Sequence, residues 1–195
     1  MSWDRVMLLG EDVAHRQFLR ALCAKLNWRV VDEAFAPRGG GAASGWVIRQ
    51  FPQRLAELRD GYKGLGLVVA IDGDNVGRSG RIAALREACA EANTGPRLDR
   101  DPVALLVPTW SIDTWLLFFH RRRVVPETVQ SKLKAKRLFV RPKGYYAPGV
   151  PSDAAPALIR KGPLEALTAG FLATESDPEL PSIDSAREDL ARWRT

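Results

Sequence analysis

The sequence predicts an α/β protein: a parallel-sheet domain with helices on both faces, followed by a basic, partly helical C-terminal extension. Three observations carry this. Short apolar runs recur at residues 6–9, 28–31, 67–71 and 103–107. Amphipathic stretches with helical spacing lie between them, giving a βαβα rhythm. The runs are continuously apolar, as strands are when a parallel sheet is covered on both faces. Ligands of such folds bind at the carboxyl ends of the strands. Residues 1–123 are read as the sheet domain and 124–195 as an extension packed on it.

The elements follow in chain order. A helix over 13–26 places Ala14, Phe18, Leu22 and Leu26 on one stripe, with Leu19 beside it, and turns His15, Arg16 and Arg20 elsewhere. Asp12 is its N-cap. Gly39, Gly40 and Gly41, followed by Ala-Ala-Ser-Gly, read as a loop before a helix over 46–62, in which Pro52 is a candidate break. The third helix, 79–93, turns Ile82, Leu85, Cys89 and Ala92 inward. The fourth begins at Ser111 and buries Ile112, Trp115, Leu116 and Phe119. Past residue 124 the pattern weakens, with Lys and Arg mixed among Pro142, Pro148, Pro151 and Pro156. A last short helix is expected over 182–193, and a mobile loop near 144–155.

Composition bounds the class. A chain of 195 residues, 46% hydrophobic and 27% charged, can bury a sizeable core without covalent staples. No apolar run approaches the roughly 18 to 20 residues that a bilayer span requires, so no membrane association is expected. The N-terminal Met-Ser-Trp-Asp-Arg-Val lacks the basic and apolar regions of a secretory signal, and the expected location is the cytoplasm. Cys23 and Cys89 sit in apolar helical patterns without Cys-x-x-Cys spacing and read as buried free thiols. The net charge of +6 is uneven. Arg121, Arg122, Arg123, Lys132, Lys134, Lys136, Arg137, Arg141 and Lys143 face only Glu127, a local balance of +8 that leaves the rest of the chain near −2. Such a block is the footprint of a surface that meets a polyanion, here nucleic acid. A solvated charged loop is the plainer alternative.

The candidate chemistry lies at two strand ends. The first run closes on Leu-Leu-Gly-Glu11 and the third on Val-Ala-Ile-Asp72-Gly-Asp74, so all three carboxylates reach one edge of the sheet. On an extended chain Asp72 and Asp74 point the same way, with Gly73 leaving room for an ion between them. Hard oxygen ligands of this kind suit Mg²⁺ or Mn²⁺, and three acids so placed repel one another without a cation. The alternative is that Glu11 merely offsets the positive end of the first helix while Asp72 and Asp74 make a turn. An EF-hand is excluded, because Val76 and Ala83 stand where ligands belong. Gly77-Arg-Ser-Gly80 is too short for a P-loop.

A Glu closing the first strand, an Asp-x-Asp closing the third and the βαβα order between them resemble the Toprim domain of topoisomerases, bacterial primases, recombination proteins and the overcoming-lysogenisation-defect nucleases. The stretch Val107-Pro-Thr-Trp-Ser-Ile-Asp113-Thr-Trp-Leu-Leu117 is similar to the acidic-x-Trp-Leu-Leu segment of small stand-alone Toprim-like proteins, which often accompany an ATPase in phage-defence operons. The resemblance covers about residues 5 to 120. It implies a Mg²⁺-dependent nuclease, with Asp72 and Asp74 holding the ion, Glu11 as general acid/base or metal ligand, and Asp113 as a further ligand or activator. It also implies nucleic acid and an ATPase as partners. The sequence departs from the family in placing Gly10 before the Glu and Asp12 after it.

His15, four residues after Glu11, could orient a phosphate or a metal-bound water, but a surface histidine without a role is the expectation. Arg78 and Arg81 either clamp phosphate oxygens or solvate the start of the third helix. Trp110 and Trp115 read as core and rim packing. Two other functional classes fit part of the pattern. One is a Toprim-like module that binds nucleic acid or a partner without cleaving. The other is a phospho-receiver, with Glu11-Asp12 as its acidic pair, Asp72 as acceptor and Arg141 before Pro142 as its basic residue. Against the receiver, Arg replaces the compact Lys charge, the spacing from Asp72 to Arg141 is too long, and Asp74 has no role. No motif separates DNA from RNA as the substrate.

Overall fold

In a computed structural model the four apolar runs become one parallel sheet, in the strand order β2-β1-β3-β4. The structure describes residues 3–37, 42–61, 64–121, 159, 161–173 and 181–193. Strands β1 (Arg5–Gly10), β2 (Arg29–Phe35), β3 (Leu65–Ala70) and β4 (Val103–Leu106) alternate with helices α1 (Val13–Leu26), α2 (Ala43–Asp60), α3 (Gly77–Glu91) and α4 (Ile112–Arg121). Two further helices, α5 (Lys161–Leu172) and α6 (Pro181–Ala191), follow.

Period-two alternation on the strands divides the core into two layers. Val6, Leu8, Val68, Ala70, Ala104 and Leu106 face α1, α4, α5 and α6. Met7, Leu9, Leu67, Val69, Val103 and Leu105 face α2 and α3. Because each strand is covered on both sides, its run is continuously apolar, and the predicted fold class is the observed one.

The elements match the expected ones with instructive exceptions. Pro52 does not divide α2, which is continuous over Ala43–Asp60. Val47, Phe51, Leu55 and Leu58 are buried along it, and packing on both sides of the proline holds the helix together despite the missing N–H. Ala92, expected inward, lies beyond the last turn of α3 and is exposed. Helix α5 is an element that sequence patterning does not anticipate. Its Gly162, Pro163 and Gly170 read as breakers, yet Pro163 falls in the first turn, where a missing N–H costs nothing. Gly170 lets the Phe119 ring lie against the helix, since a Cβ there would stand 2.0 Å from it.

The C-terminal segment shares the core. Ile159, Leu167, Phe171, Ile183, Ala186 and Leu190 are buried in the same cluster as Phe18 and Trp115, and Trp115 Nε1 donates to Ser182 Oγ at 2.9 Å. Helix α6 also covers the edge strand β4: buried Asp189 accepts from Leu105 N at 3.1 Å and from Arg97 at 2.9 Å. The opposite edge, β2, carries Asp32, bonded to Arg54, and Glu33, bonded to Arg16 and Arg20; such charges discourage pairing with another chain. Cys23 and Cys89 are buried free thiols, as expected. Among the described residues no helix is long and apolar enough to cross a membrane. The basic residues Arg122, Arg123, Lys132, Lys134, Lys136, Arg137, Arg141 and Lys143, and the loop expected near 144–155, lie outside the described residues.

Candidate functional site

Strands β1 and β3 are neighbours and end level, with Gly10 beside Ala70. The helix after β1 goes to one face and the helix after β3 to the other. That makes their carboxyl ends a topological switch point, where open α/β sheets form a crevice. Glu11 and Asp72 are the residues delivered there.

They are clasped together. Glu11 Oε1 accepts from the backbone N–H of Asp72 at 2.7 Å, and both side chains are largely buried. Asp72 Oδ1 in turn accepts from the Ile112 backbone N–H at 2.9 Å, at the start of α4, and from His15 Nε2 at 3.1 Å. The other ring nitrogen of His15, Nδ1, donates to Asp12 Oδ1 at 2.9 Å. Asp12 caps α1 as expected, accepting from Ala14 N at 2.9 Å and His15 N at 3.0 Å. Arg81, buried, donates from Nε to the Asp72 carbonyl at 2.8 Å and places a guanidinium nitrogen 3.9 Å from Asp74.

The electrostatics follow from these contacts. Burial, reinforced by the Asp72 charge and only partly offset by His15, raises the Glu11 carboxyl to about 7. Burial works against charging His15, but the charges and hydrogen bonds of Asp72 and Asp12 outweigh it and hold the imidazole well above its ordinary value. Desolvation of its carboxyl opposes charge on Asp12, whose side chain is half exposed at the head of α1, but the His15 charge and hydrogen bonds outweigh it, so Asp12 lies below the usual range. With all groups ionised, Glu11, Asp12, Asp72 and Asp74 outnumber His15 and Arg81 by two negative charges.

Comparison with protein-family models, with curated proteins and with solved structures yields no match.

Two expectations are corrected. The Asp72-Gly73-Asp74 segment is not extended: β3 ends at Ala70, and Asp74 opens a 3-10 turn (Asp74–Val76) in the left-handed region, with φ of 47°. Alternation along a strand does not apply there. Nor does Gly73 make room for an ion. A Cβ at Gly73 would stand 2.2 Å from the Thr109 carbonyl oxygen and 2.6 Å from that of Pro108, so the glycine makes room for the loop between β4 and α4. Gly73 N and Asp74 N bond to that loop, at Pro108 O and Trp110 O. The second correction is His15, which is 1% exposed and central to the cluster.

Of the predicted residues, the structure therefore brings Glu11 and Asp72 together, while Asp74 turns outward, its side chain 39% exposed beside Arg81. Asp113 sits in the first turn of α4, one residue past the N–H that Asp72 accepts. No group of three or more His, Cys, Asp or Glu is placed to hold one ion among the described residues. Arg78 is partly exposed at the start of α3, with its Nε buried and without a hydrogen bond there. His15 and the Ile112 N–H are the contributors missed from sequence. For His15 a sign was present: with Phe18, Leu19 and Leu22 it completes an i, i+3, i+4, i+7 stripe, the buried one.

Proposed function

We propose that this protein is a Mg²⁺- or Mn²⁺-dependent nuclease that cleaves phosphodiester bonds of nucleic acid at the crevice between β1 and β3. The observation that supports it most is the Glu11–Asp72 clasp. Each carboxylate commits one oxygen to hydrogen bonds, and Glu11 Oε2 and Asp72 Oδ2 make none among the described residues. Mg²⁺ is commonly held by one or two carboxylates, completing its shell with water and substrate phosphate, so this pair and its charge deficit fit such an ion. Glu11 and Asp72 would hold a divalent cation there, which would supply charge neutralisation at phosphoryl oxygens and lower the pKa of a nearby water. Glu11, raised to about 7, is suited to holding or passing a proton at neutral pH. Arg78 is the residue best placed on α3 to meet a phosphate, and the basic block of residues 121–143 would hold the polynucleotide backbone. The resemblance to Toprim proteins of phage-defence systems adds a cytoplasmic setting and an ATPase partner to this reading.

The test is cleavage of supercoiled plasmid, single-stranded DNA and structured RNA with Mg²⁺ and with Mn²⁺, with and without any ATPase encoded alongside. Glu11→Gln keeps the shape and removes the charge, so cleavage should fall about a hundredfold or more while nucleic-acid binding persists. Asp72→Asn should abolish both cleavage and the rise in melting temperature that Mn²⁺ gives the wild type by binding the folded state. If no substrate is cut, or Glu11→Gln cuts as well as wild type, a non-catalytic binding module replaces the nuclease. Labelling of Asp72 by acetyl phosphate would instead favour the receiver-like signalling reading, which shares the strand order observed.

A further inference from the structure

Resting on the metal-site reading above, we propose that His15 is a positioning residue: its Nε2–H ties back one oxygen of Asp72 so that the other alone faces the ion. Both ring nitrogens of His15 face carboxylate oxygens, at 2.9 and 3.1 Å, and carboxylates only accept. At Nε2, 3.1 Å from Asp72 Oδ1, the hydrogen therefore lies on the ring nitrogen, which donates to the carboxylate.

Its orientation is set from two sides. Asp12 grips Nδ1, and Asp12 is itself gripped by the Ala14 and His15 backbone N–H groups of α1, which it caps. The ring is 1% exposed, so it has no alternative partner in water. Asp72 Oδ1 then receives two donors from different elements, His15 on α1 and the Ile112 N–H at the start of α4. Two donors on one oxygen from separate helices fix the carboxylate plane. Asp72 is thereby limited to one-oxygen ligation, which leaves coordination positions open for water and phosphate. Removing a partner that orients a metal ligand typically changes affinity 10- to 100-fold. Any positive charge on the ring would work in the opposite direction, since a cation beside Asp72 repels a second one.

Geometry and charge can be separated by two substitutions. His15→Gln places an amide nitrogen about where Nε2 lies and can still donate to Asp72; His15→Asn places one near Nδ1 and reaches only Asp12. Both remove the same ring and the same charge. Mn²⁺ affinity, read by the free-ion paramagnetic signal, should be within about threefold of wild type or tighter in His15→Gln, and at least about tenfold weaker in His15→Asn than in His15→Gln. Equal affinities in the two variants would overturn the assignment, because a purely structural or purely electrostatic role predicts equality. Asp72→Asn separates the underlying reading: if it binds Mn²⁺ as tightly as wild type, the metal site itself is misplaced, whatever His15 does. Should His15→Asn not fold, nitrogen NMR of the wild type decides. Nε2 should carry a hydrogen and Mg²⁺ should move its resonance more than that of Nδ1, whereas an Nε2 signal unmoved by saturating Mg²⁺ refutes the role.

Discussion

At the scale of single residues, the site is a store of electrostatic tension, and its sign can be followed with pH. Glu11 titrates at about 7 in the folded chain against 4.5 unfolded, so between these values the folded state holds a proton that the unfolded state has released. Stability from this group is present below 4.5 and drains as pH rises to 7, a decrease on the order of 3 kcal/mol. His15, raised above 6.5, continues the trend: its contribution is present below 6.5 and vanishes as pH climbs through its higher folded value. Asp12, lowered below 3.8, acts only at the acid end, where its contribution disappears as pH falls. Without divalent ions, the melting temperature should therefore decline from about pH 5 to about pH 8. Glu11→Gln should flatten the portion between 4.5 and 7 and melt several degrees above wild type at about pH 8. Parallel curves for the two proteins would show that Glu11 is not perturbed by its surroundings.

At the scale of elements, the sheet's two edges are protected differently. Edge β2 relies on charge, through Asp32 and Glu33 and their arginines. Edge β4 relies on a helix, because Asp189 of α6 supplies the acceptor that Leu105 N–H would otherwise seek in another strand. Asp189 is 5% exposed and also pairs with Arg97, so Asp189→Ala leaves a buried N–H and a largely buried guanidinium without their acceptor. Denaturant unfolding should show a destabilisation of about 3 kcal/mol. Arg192, half exposed and 3.4 Å from the same carboxylate, serves as the contrast: Arg192→Gln should change stability by about 0.5 kcal/mol or less. A small effect of Asp189→Ala would mean that apolar packing alone seats α6.

At the scale of the whole molecule, the proposed catalysis and the proposed substrate holding fall to different parts of the chain, so they should separate experimentally. The carboxylates belong to the sheet edge; the positive charge is concentrated in residues 121–143. Replacing Lys132, Lys134 and Lys136 with Gln should weaken nucleic-acid binding irrespective of base sequence. The slope of log affinity against log salt should flatten by roughly 0.7 to 0.9 for each phosphate that is no longer neutralised. Mn²⁺ binding should be unchanged. An unaltered slope would identify the block as solvated surface and leave the backbone phosphates to residues such as Arg78.

The order of strands and helices, the burial of the sheet on both faces and the arrival of Glu11 and Asp72 at one edge are all written in the amino-acid sequence. These are local properties: continuous apolar runs, helical spacing and an Asp cap at residue 12 are read within a dozen or so residues. The burial of His15, expected at the surface, left only a sign in its spacing from Phe18 and Leu22. Where the acids lie and what they bond to was decided only by tertiary structure. Glu11 meets the Asp72 N–H across 61 residues of chain, and Asp189 meets β4 across 84, pairings that no local pattern encodes. Asp74 was drawn away from its expected place by the loop at Pro108 and Thr109, which presses on Gly73 and takes up the Gly73 and Asp74 N–H groups. Helix α5 formed against its own Gly and Pro content because Leu167 and Phe171 fill the core beside Phe18 and Trp115. In each case packing between distant segments outweighs a local preference of about 1 kcal/mol or less, and such packing exists only once the chain has folded.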